Sequence, residues 1–405
     1  MTTSTAAFDV VIVGAGVGGA ALALALARAQ PLRVLVVDRL PGPGKINRGD
    51  SLLPAVTVHL AAWGVLDSFR AAGARMLTKV QVFHHRAGLV FETSFADAGL
   101  RHPYLVLPHP DIERVLLEAA RATARVTVRY LCRVIRLLKE GGRVCGVALG
   151  GADGTQQEVR ARLVVGADGA SSLVRTALGI PLARVPYDHG YFGIQVDRPA
   201  QYEDAMRVEL HPAGGILVVP DPSGDRVGLG VLVHRRDEDL FRCGCLDDKL
   251  AAIRQRSPLL GNCRAFLKGA HLYKLSRGHA PRYTARGAVL LGDAVHVTNP
   301  TAGQGMTMAV EDAAALARHV GAALATGAHG PALDRFLEAY ERERRPLNAG
   351  LIRWSHWMSR FYALHGRLGD LLRRRVFAFG NSRIGRLIQR GILRRVASRP
   401  ARKVG

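Results

Sequence analysis

Acid is scarce in this chain of 405 residues: 33 Asp and Glu stand against 56 Lys and Arg, a formal charge of +23. Cysteine is scarce too. The five present (Cys132, Cys145, Cys243, Cys245 and Cys263) are an odd number, with no CxxC pair and no Cys/His spacing suited to zinc. That excludes a disulfide scaffold, leaves no metal site to expect, and points to a reducing, cytoplasmic setting. Long apolar runs are also missing. The richest stretch, Val10 to Ala27, is broken by glycines, has Asp9 at its border and follows no basic segment. It therefore reads as a strand, a turn and a helix, not as a signal peptide. Nothing else nears the roughly 18 unbroken apolar residues of a membrane span. There is no internal repeat. With 48% apolar residues, the chain can bury a large core over two or three structural units.

The charge excess is uneven. From Pro346 to the end, 14 Lys and Arg face one acid, Asp370, so +13 of the +23 lies in the last 60 residues. The remainder is moderately basic, which suits anionic cofactors and calls for no nucleic-acid partner.

Near the start, "FDVVIVGAGVGGAALALALARA" reads as a buried strand, a glycine turn and a helix. Gly14, Gly16 and Gly19 spell G-x-G-x-x-G: one for the tight turn, one for close backbone approach to a pyrophosphate, one for helix–strand packing. The helix N-terminus then offers free N–H groups to the phosphates. A second strand, "LRVLVVDR", ends at Asp38, 24 residues after Gly14. A carboxylate there is suited to the ribose hydroxyls of an adenosine, and Arg39 beside it joins the candidate set. FAD, NAD and NADP all fit this unit.

Two distant stretches repeat the grammar. "ARLVVGADGASSLVRTALGI" carries a turn at Gly166–Gly169 and then Asp168 and Arg175. "RGAVLLGDAVHVTNPTAGQGMTMAVEDAAALARHV" carries Gly292 and Asp293, a proline loop, and a helix starting near Gly303–Gly305. With these three motifs in this order, the sequence resembles the FAD-dependent monooxygenases of the para-hydroxybenzoate hydroxylase type, over the chain to about Arg345. The resemblance implies that Asp293 binds the ribityl chain of FAD and that the turn Gly303-Gln304-Gly305-Met306 meets the flavin's pyrimidine edge. It also implies that Pro300 lies in a loop beside the ring, that Asp168 belongs to a motif handling FAD and NAD(P)H, and that Arg48, before Gly49, reaches the pyrophosphate. Asp168 and Arg175 also admit a second reading, in which they only pin strand to helix. Thr307 and "GDSLLP" depart from the aromatic hydroxylases towards branches acting on quinones and lipids.

The implied fold is α/β: a Rossmann-like, glutathione-reductase-like FAD domain at 1–70, 102–180 and 278–345, an inserted antiparallel β-sheet substrate domain at 71–101 and 181–277, and a basic helical C-terminus at 346–405. Alternation in "AMRVELHPAGGILVVP" and "VGLGVLV" predicts a hairpin in that sheet, and "TKVQVFHHRAGLVFETSF" predicts further strands. His84 and His85 are expected at a strand or loop surface. For a substrate base the candidates are His211, His296, Tyr191 and Tyr202, with His296 first. No second G-x-G-x-x-G unit is present, so NADPH or NADH is expected to visit transiently as reductant.

The implied activity is an NAD(P)H- and O2-dependent hydroxylation, through a flavin C4a-hydroperoxide, of an aromatic or quinone-like, lipophilic small molecule. Alkene epoxidation and isoprenoid double-bond reduction by the same fold stay open. In the tail, Trp354, Trp357, Phe361, Leu364 and Leu368 recur at helical spacing among arginines, and Ile384, Leu387, Ile388 and Leu393 continue the stripe. Two readings follow: an interfacial helix touching anionic lipid at the inner face of the membrane, or a helical pair packed on the FAD domain with solvated arginines.

Overall fold

A computed structural model of the chain describes residues 7–44, 51–97, 100, 102–151, 154–388 and 391. Arg48, Gly49 and Leu393 lie outside the described residues. The chain opens with β1 (Ala7–Val13), α1 (Val17–Ala29) and β2 (Val34–Val37). Every residue of β2 is buried, as a strand covered on both faces requires. Helix α1 is buried from Gly19 to Ala27 because helices pack on it from two sides, and an all-round apolar helix is stable only when enclosed.

From there β3 (Ser51–Leu52), α2 (Pro54–Ala62), α3 (Leu66–Ala71), β4 (Arg75–Leu77), β5 (Lys79–His84) and β6 (Gly88–Ser94) lead out to a second unit. The chain returns through β7 (Tyr104–Val106), α4 (His109–Arg121) and β8 (Val126–Arg129), then folds the hairpin β9 (Cys132–Glu140) and β10 (Arg143–Gly151). Strand β11 (Gln156–Gly166) and α5 (Leu173–Ala177) complete the first unit's middle. The second unit is built from β12 (Arg184–Asp197), β13 (Met206–Leu210), β14 (Ile216–Pro220), β15 (Arg226–His234), α6 (Glu238–Cys243), α7 (Leu246–Arg254) and β16 (Ala265–His279). The last elements are β17 (Thr284–Ala285), β18 (Ala288–Leu290), β19 (His296–Val297), α8 (Gln304–Ala325), α9 (Gly330–Tyr362) and α10 (Gly366–Gly380).

The first sheet runs β17-β18-β11-β1-β2-β8, with the β9–β10 hairpin on β11. Strands β18, β11, β1, β2 and β8 pair in parallel. The chain builds outward from β1 to one side and later from β11 to the other. The crevice beyond the carboxyl ends of β1 and β11 is therefore the topological switch point, where open α/β sheets bind ligands.

The second sheet runs β19-β16-β12-β15-β14-β13-β5-β6. The β13–β14–β15 meander and the β5–β6 hairpin form as their alternation predicts. One pair differs from the antiparallel expectation: β13 and β5 run parallel. Strand β5 arrives from the first unit, over 100 residues upstream of β13, and no hairpin dictates its direction.

Two further expectations are corrected here. The boundary at 345/346 falls inside α9, which runs on through Pro346. A mid-helix proline costs about 3 kcal/mol; Arg344 and Asn348, on either side of it, are both buried and bonded to Asp312 of α8, and hold the helix together. His84 is not a surface residue. It is 4% exposed, and its Nε2 lies 3.0 Å from Asp370 Oδ2 in α10, so the C-terminal helix is fastened to the second sheet. Among the described residues no helix is long and apolar enough to cross a membrane.

Candidate active site

Strands β1, β11 and β18 are neighbours, and each ends at one of the three glycine motifs. At the end of β1, Gly14 has φ +107°, and a Cβ there would lie 2.3 Å from the Ala167 carbonyl oxygen. The first motif therefore abuts the second with no room for a side chain. A Cβ on Gly19 would lie 2.0 Å from the Gly14 carbonyl oxygen, so α1 can sit this close to its own turn only through glycine. Gly16 caps α1 with extended backbone, no side chain bonds the helix start, and no acid occupies the first turn. Helix α8 likewise has no side-chain cap and no acid in its first turn, and it begins after Gly303 in a left-handed conformation (φ +63°). Two uncapped helix starts thus present N–H groups to one crevice, the arrangement that an anionic cofactor needs.

Asp38, half-buried at the end of β2, accepts the Ala15 N–H at 2.7 Å and the Leu40 N–H at 2.8 Å. Each carboxylate oxygen keeps a further lone pair. Arg39 is exposed beside it, and Asp293 and Pro300 are exposed on the loop after β18. Gly305 and Met306 lie half-buried in the first turn of α8. Asp168 differs from the expectation of a cofactor ligand. Its Oδ2 accepts the Leu173 and Val174 N–H groups at 2.7 and 3.1 Å, and its Oδ1 bonds Ser172 Oγ. Oδ1, with one donor, keeps a further lone pair, while these bonds cap α5, as the pinning reading expects. Arg175 does the same one turn on, donating to the Ala294 carbonyl at 2.9 Å and so tying α5 to the Gly292 turn.

His296 is corrected as well. It is fully buried, and a side chain without exposed surface touches neither cofactor nor substrate. Its Nε2 lies 2.7 Å from Asp312 Oδ2, which also accepts the Gly292 N–H at 3.3 Å. Asp312 Oδ1 accepts Arg344 Nε at 2.7 Å and Asn348 Nδ2 at 2.9 Å. Burial alone would raise the Asp312 carboxyl, but His296 and Arg344 outweigh it and hold it well below the usual carboxylate range. The histidine thus orients a buried anion that locks α8, α9 and the Gly292 turn together.

The second sheet reaches the loop after β18 through β19 and Tyr191. Phe192, Ile194, Val218, Leu229 and Val231 pack on one face against Phe241, Ile253 and Leu260 from α6 and α7 and the turn after them. The opposite face carries Tyr191, Gln195 and Leu217, with Gly193, Gly228 and Gly230 recessing it. Tyr191 Oη lies 3.2 Å from Thr301 Oγ1, next to Pro300. Burial raises the Tyr191 phenol above its usual value against the pull of Thr301, so at neutral pH it remains protonated. The other candidates lie elsewhere. Tyr202 is buried in the α6–α7 core and donates to the Ala205 carbonyl at 2.6 Å. His211 packs edge-on against His85 at 4.9 Å, on the side of α10.

Several residues of this region carry no sequence signal. Asn299 accepts the Thr301 N–H at 2.8 Å, donates to Ser359 Oγ at 2.8 Å, and receives Ser355 Oγ on its carbonyl at 2.9 Å. Ser359 in turn lies 2.7 Å from His189 Nε2. The Pro300 loop is therefore held from α9 and β12 at once. Leu53 and Tyr104 close on the Gly303 turn from the small β3-β7-β4 sheet.

A family model described as FAD binding domain matches residues 7–355. The chain belongs to the FAD-dependent aromatic hydroxylases of the para-hydroxybenzoate hydroxylase type. This monooxygenase is similar to a 6-methylpretetramide 4-monooxygenase of Streptomyces rimosus, 32% identical over 90% of this chain and 87% of the relative. It is similar also to a protoasukamycin 4-monooxygenase of Streptomyces nodosus subsp. asukaensis, 30% identical over 84% of each. Among solved structures, PqsL of Pseudomonas aeruginosa, described as a probable FAD-dependent monooxygenase, aligns with TM-score 0.74 and 27% identity over 88% of this chain and 97% of that one. FAD is this enzyme's cofactor, and it supplies the redox and oxygen chemistry. The chain's own residues bind it, orient the substrate and exclude water.

Proposed function

We propose that the enzyme hydroxylates a flat, lipophilic phenolic or quinone-like molecule, with NADPH or NADH as reductant and O2 as co-substrate, in secondary metabolism. The observation that carries this is Tyr191. It stands on the glycine-recessed face of the second sheet and meets Thr301 of the Pro300 loop. A flat ring system placed beside this contact would find the recessed glycines on one side and, in Tyr191, a protonated phenol able to donate a hydrogen bond to a carbonyl or hydroxyl oxygen. Relatives named for oxygenating 6-methylpretetramide and protoasukamycin support a substrate of that kind.

In this reading Gly14, Gly16 and Gly19 would hold the FAD pyrophosphate at the start of α1, and Asp38 would take the adenosine ribose next to Arg39; the contact expected of Arg48 lies outside the described residues. Gly292 and Asp293 would hold the ribityl chain, and Gly303, Gly305 and Met306 would line the ring's polar edge. The uncapped start of α8 would favour negative charge on a group held there. With one dinucleotide turn in the sequence, the nicotinamide cofactor visits and leaves. We place the enzyme in the cytoplasm, touching the inner membrane face through its basic C-terminal helices. Thr307, whose hydroxyl bonds back to the Gly303 carbonyl at 3.3 Å, is buried and favours neither hydroxylation nor epoxidation.

The test is mass spectrometry of products formed from a phenol and quinone extract with NADPH and isotopically labelled O2. One labelled oxygen atom per product on an aromatic ring is the expected result. An epoxide would move the reading to alkene oxidation, and a product that gains only hydrogen, also without O2, would overturn monooxygenation.

A further inference from the structure

Helix α10 is inverted by the standards of a surface helix. Its polar residues Asp370 and Arg373 point inward, where Asp370 meets His84 and Arg373 donates to the His211 carbonyl at 3.1 Å. Apart from Phe377, its large apolar residues point outward: Leu368 is 83% exposed, Leu372 50% and Phe379 53%. Spacings of 4 and 11 residues put these three on one face with Leu371. The pattern is local to this end of the chain. Of 17 large apolar residues exposed among the described ones, ten lie between Trp357 and Ile388. A cluster of that kind on a protein surface marks a contact.

Charge decides what is contacted. Arg360, Arg367, Arg374, Arg375, Arg383 and Arg386 are all exposed around it, and the segment's single acid, Asp370, is buried. A second copy of the chain would set this cationic surface against itself, since a two-fold contact pairs the same patch with the same patch. A surface that is anionic and also accepts apolar side chains fits both features.

We propose that the outer face of α10, with Trp357 on the last turns of α9, docks the enzyme onto an anionic lipid bilayer. The proposal rests on the reading of a lipophilic substrate at the inner membrane face and names the surface that reaches it. Through Phe377, which packs on Phe91 of β6 at 5.9 Å and on Tyr362, and through the Asp370–His84 contact, α10 is fixed to the second sheet. Docking therefore sets the substrate-binding unit at the lipid surface, where a lipophilic substrate is concentrated.

The experiment is co-sedimentation of the full-length, FAD-loaded enzyme with phosphatidylcholine vesicles, with and without about one third phosphatidylglycerol. Two double variants accompany it: Leu368→Asp with Leu372→Asp, and Arg374→Glu with Arg375→Glu. All four side chains are exposed, so FAD content and melting temperature are expected to stay at the parent's values. The parent is expected to pellet with anionic vesicles only, and each variant to lose about tenfold or more in partitioning. A parent that stays in the supernatant would overturn the proposal, as would variants that bind like the parent. A parent dimer that Leu368→Asp with Leu372→Asp turns into monomers would assign the face to a second copy, and also overturn it. Product formation from a substrate already in solution reads the hydroxylase function separately from docking.

Discussion

Replacing Asp312 by Ala tests whether the buried network, and not a ligand contact, is what joins the cofactor turn to the helices behind it. Asp312 has no exposed surface and takes four donors: Arg344 Nε, Asn348 Nδ2, His296 Nε2 and the Gly292 N–H. Removing one partner of a buried ion pair costs about 3–5 kcal/mol. Here the lower end applies, because Arg344 keeps Glu311 at 2.9 Å and Asn348 at 3.0 Å. His296 would lose its one bonded nitrogen, since its Nδ1 has no partner, and an unsatisfied buried polar group adds about 1–3 kcal/mol. The total is roughly 4–6 kcal/mol. At about 2.1 cal/mol/K per residue, 405 residues have an unfolding entropy near 0.85 kcal/mol/K, so the melting temperature falls by about 5–7 °C. The assay is thermal unfolding of enzyme stripped of FAD, parent against Asp312→Ala, with FAD affinity measured alongside. The drop is expected without FAD, and it should be constant from about pH 5 to 8. A carboxylate held below its usual range contributes at every pH above the unfolded value near 4, and loses that contribution only as pH falls further. A stripped variant melting within about 1 °C of the parent while failing to bind FAD would refute the reasoning and make Asp312 a direct ligand.

Gly19→Ala puts a Cβ 2.0 Å from the Gly14 carbonyl oxygen; overpacking of about 1–3 kcal/mol is expected in the melting temperature, together with loss of FAD seen in the absorbance of purified enzyme. Tyr191→Phe is expected to raise substrate KM and the fraction of NADPH oxidised without product, measured by comparing NADPH consumed with product formed. Tyr202→Phe, in the α6–α7 core, should change melting temperature and leave that ratio alone. His211, His234 and His279 are each lowered to about 4, chiefly by burial. Between their unfolded value near 6.5 and about 4 the unfolded chain binds more protons, so stability is full above the upper value and falls as pH drops through this window. Melting temperature measured from pH 7 down to pH 4.5 should decline steadily, and His234→Gln should reduce the slope; a flat profile would refute these positions.

What could be read from the sequence was whatever depends on backbone geometry. Gly14, Gly19 and Gly303 are needed by a tight turn, a close approach and a left-handed cap, and the strands before them announce themselves as short apolar runs. Three motifs far apart in the sequence could be assigned to one crevice because each follows a strand of the same parallel sheet. What could not be read was the partner of each polar side chain. Arg344 and Asn348 resemble the solvated face of a basic helix, and their acceptor lies 32 and 36 residues upstream. Ser359 and His189, which hold the Pro300 loop, are 170 residues apart. Asp168 looks the same in sequence whether its carboxylate faces a cofactor or caps α5. His296 stands three residues from Asp293 and still faces the opposite way.

The C-terminal helix shows the same limit in another form. Leu368, Leu371, Leu372 and Phe379 recur with helical period, and periodicity alone identifies an apolar face without saying which way it turns. In most surface helices the answer is inward, because burial of such side chains is favourable by about 1.5–3 kcal/mol each. Here the inward position is occupied by Asp370 and Arg373, and their partners (His84, the His211 carbonyl) belong to a sheet whose strands lie more than 150 residues upstream. A buried carboxylate and guanidinium are tolerated only when paired. The polar pocket on the second sheet therefore sets the helix's rotation, and the leucines are turned outward as a consequence. Filling that pocket with apolar residues, as in His84→Leu with Asp370→Leu, leaves Arg373 without its carboxylate. The helix is then held in this orientation by fewer polar contacts, and vesicle binding, read by co-sedimentation, is expected to fall although no exposed residue has been substituted.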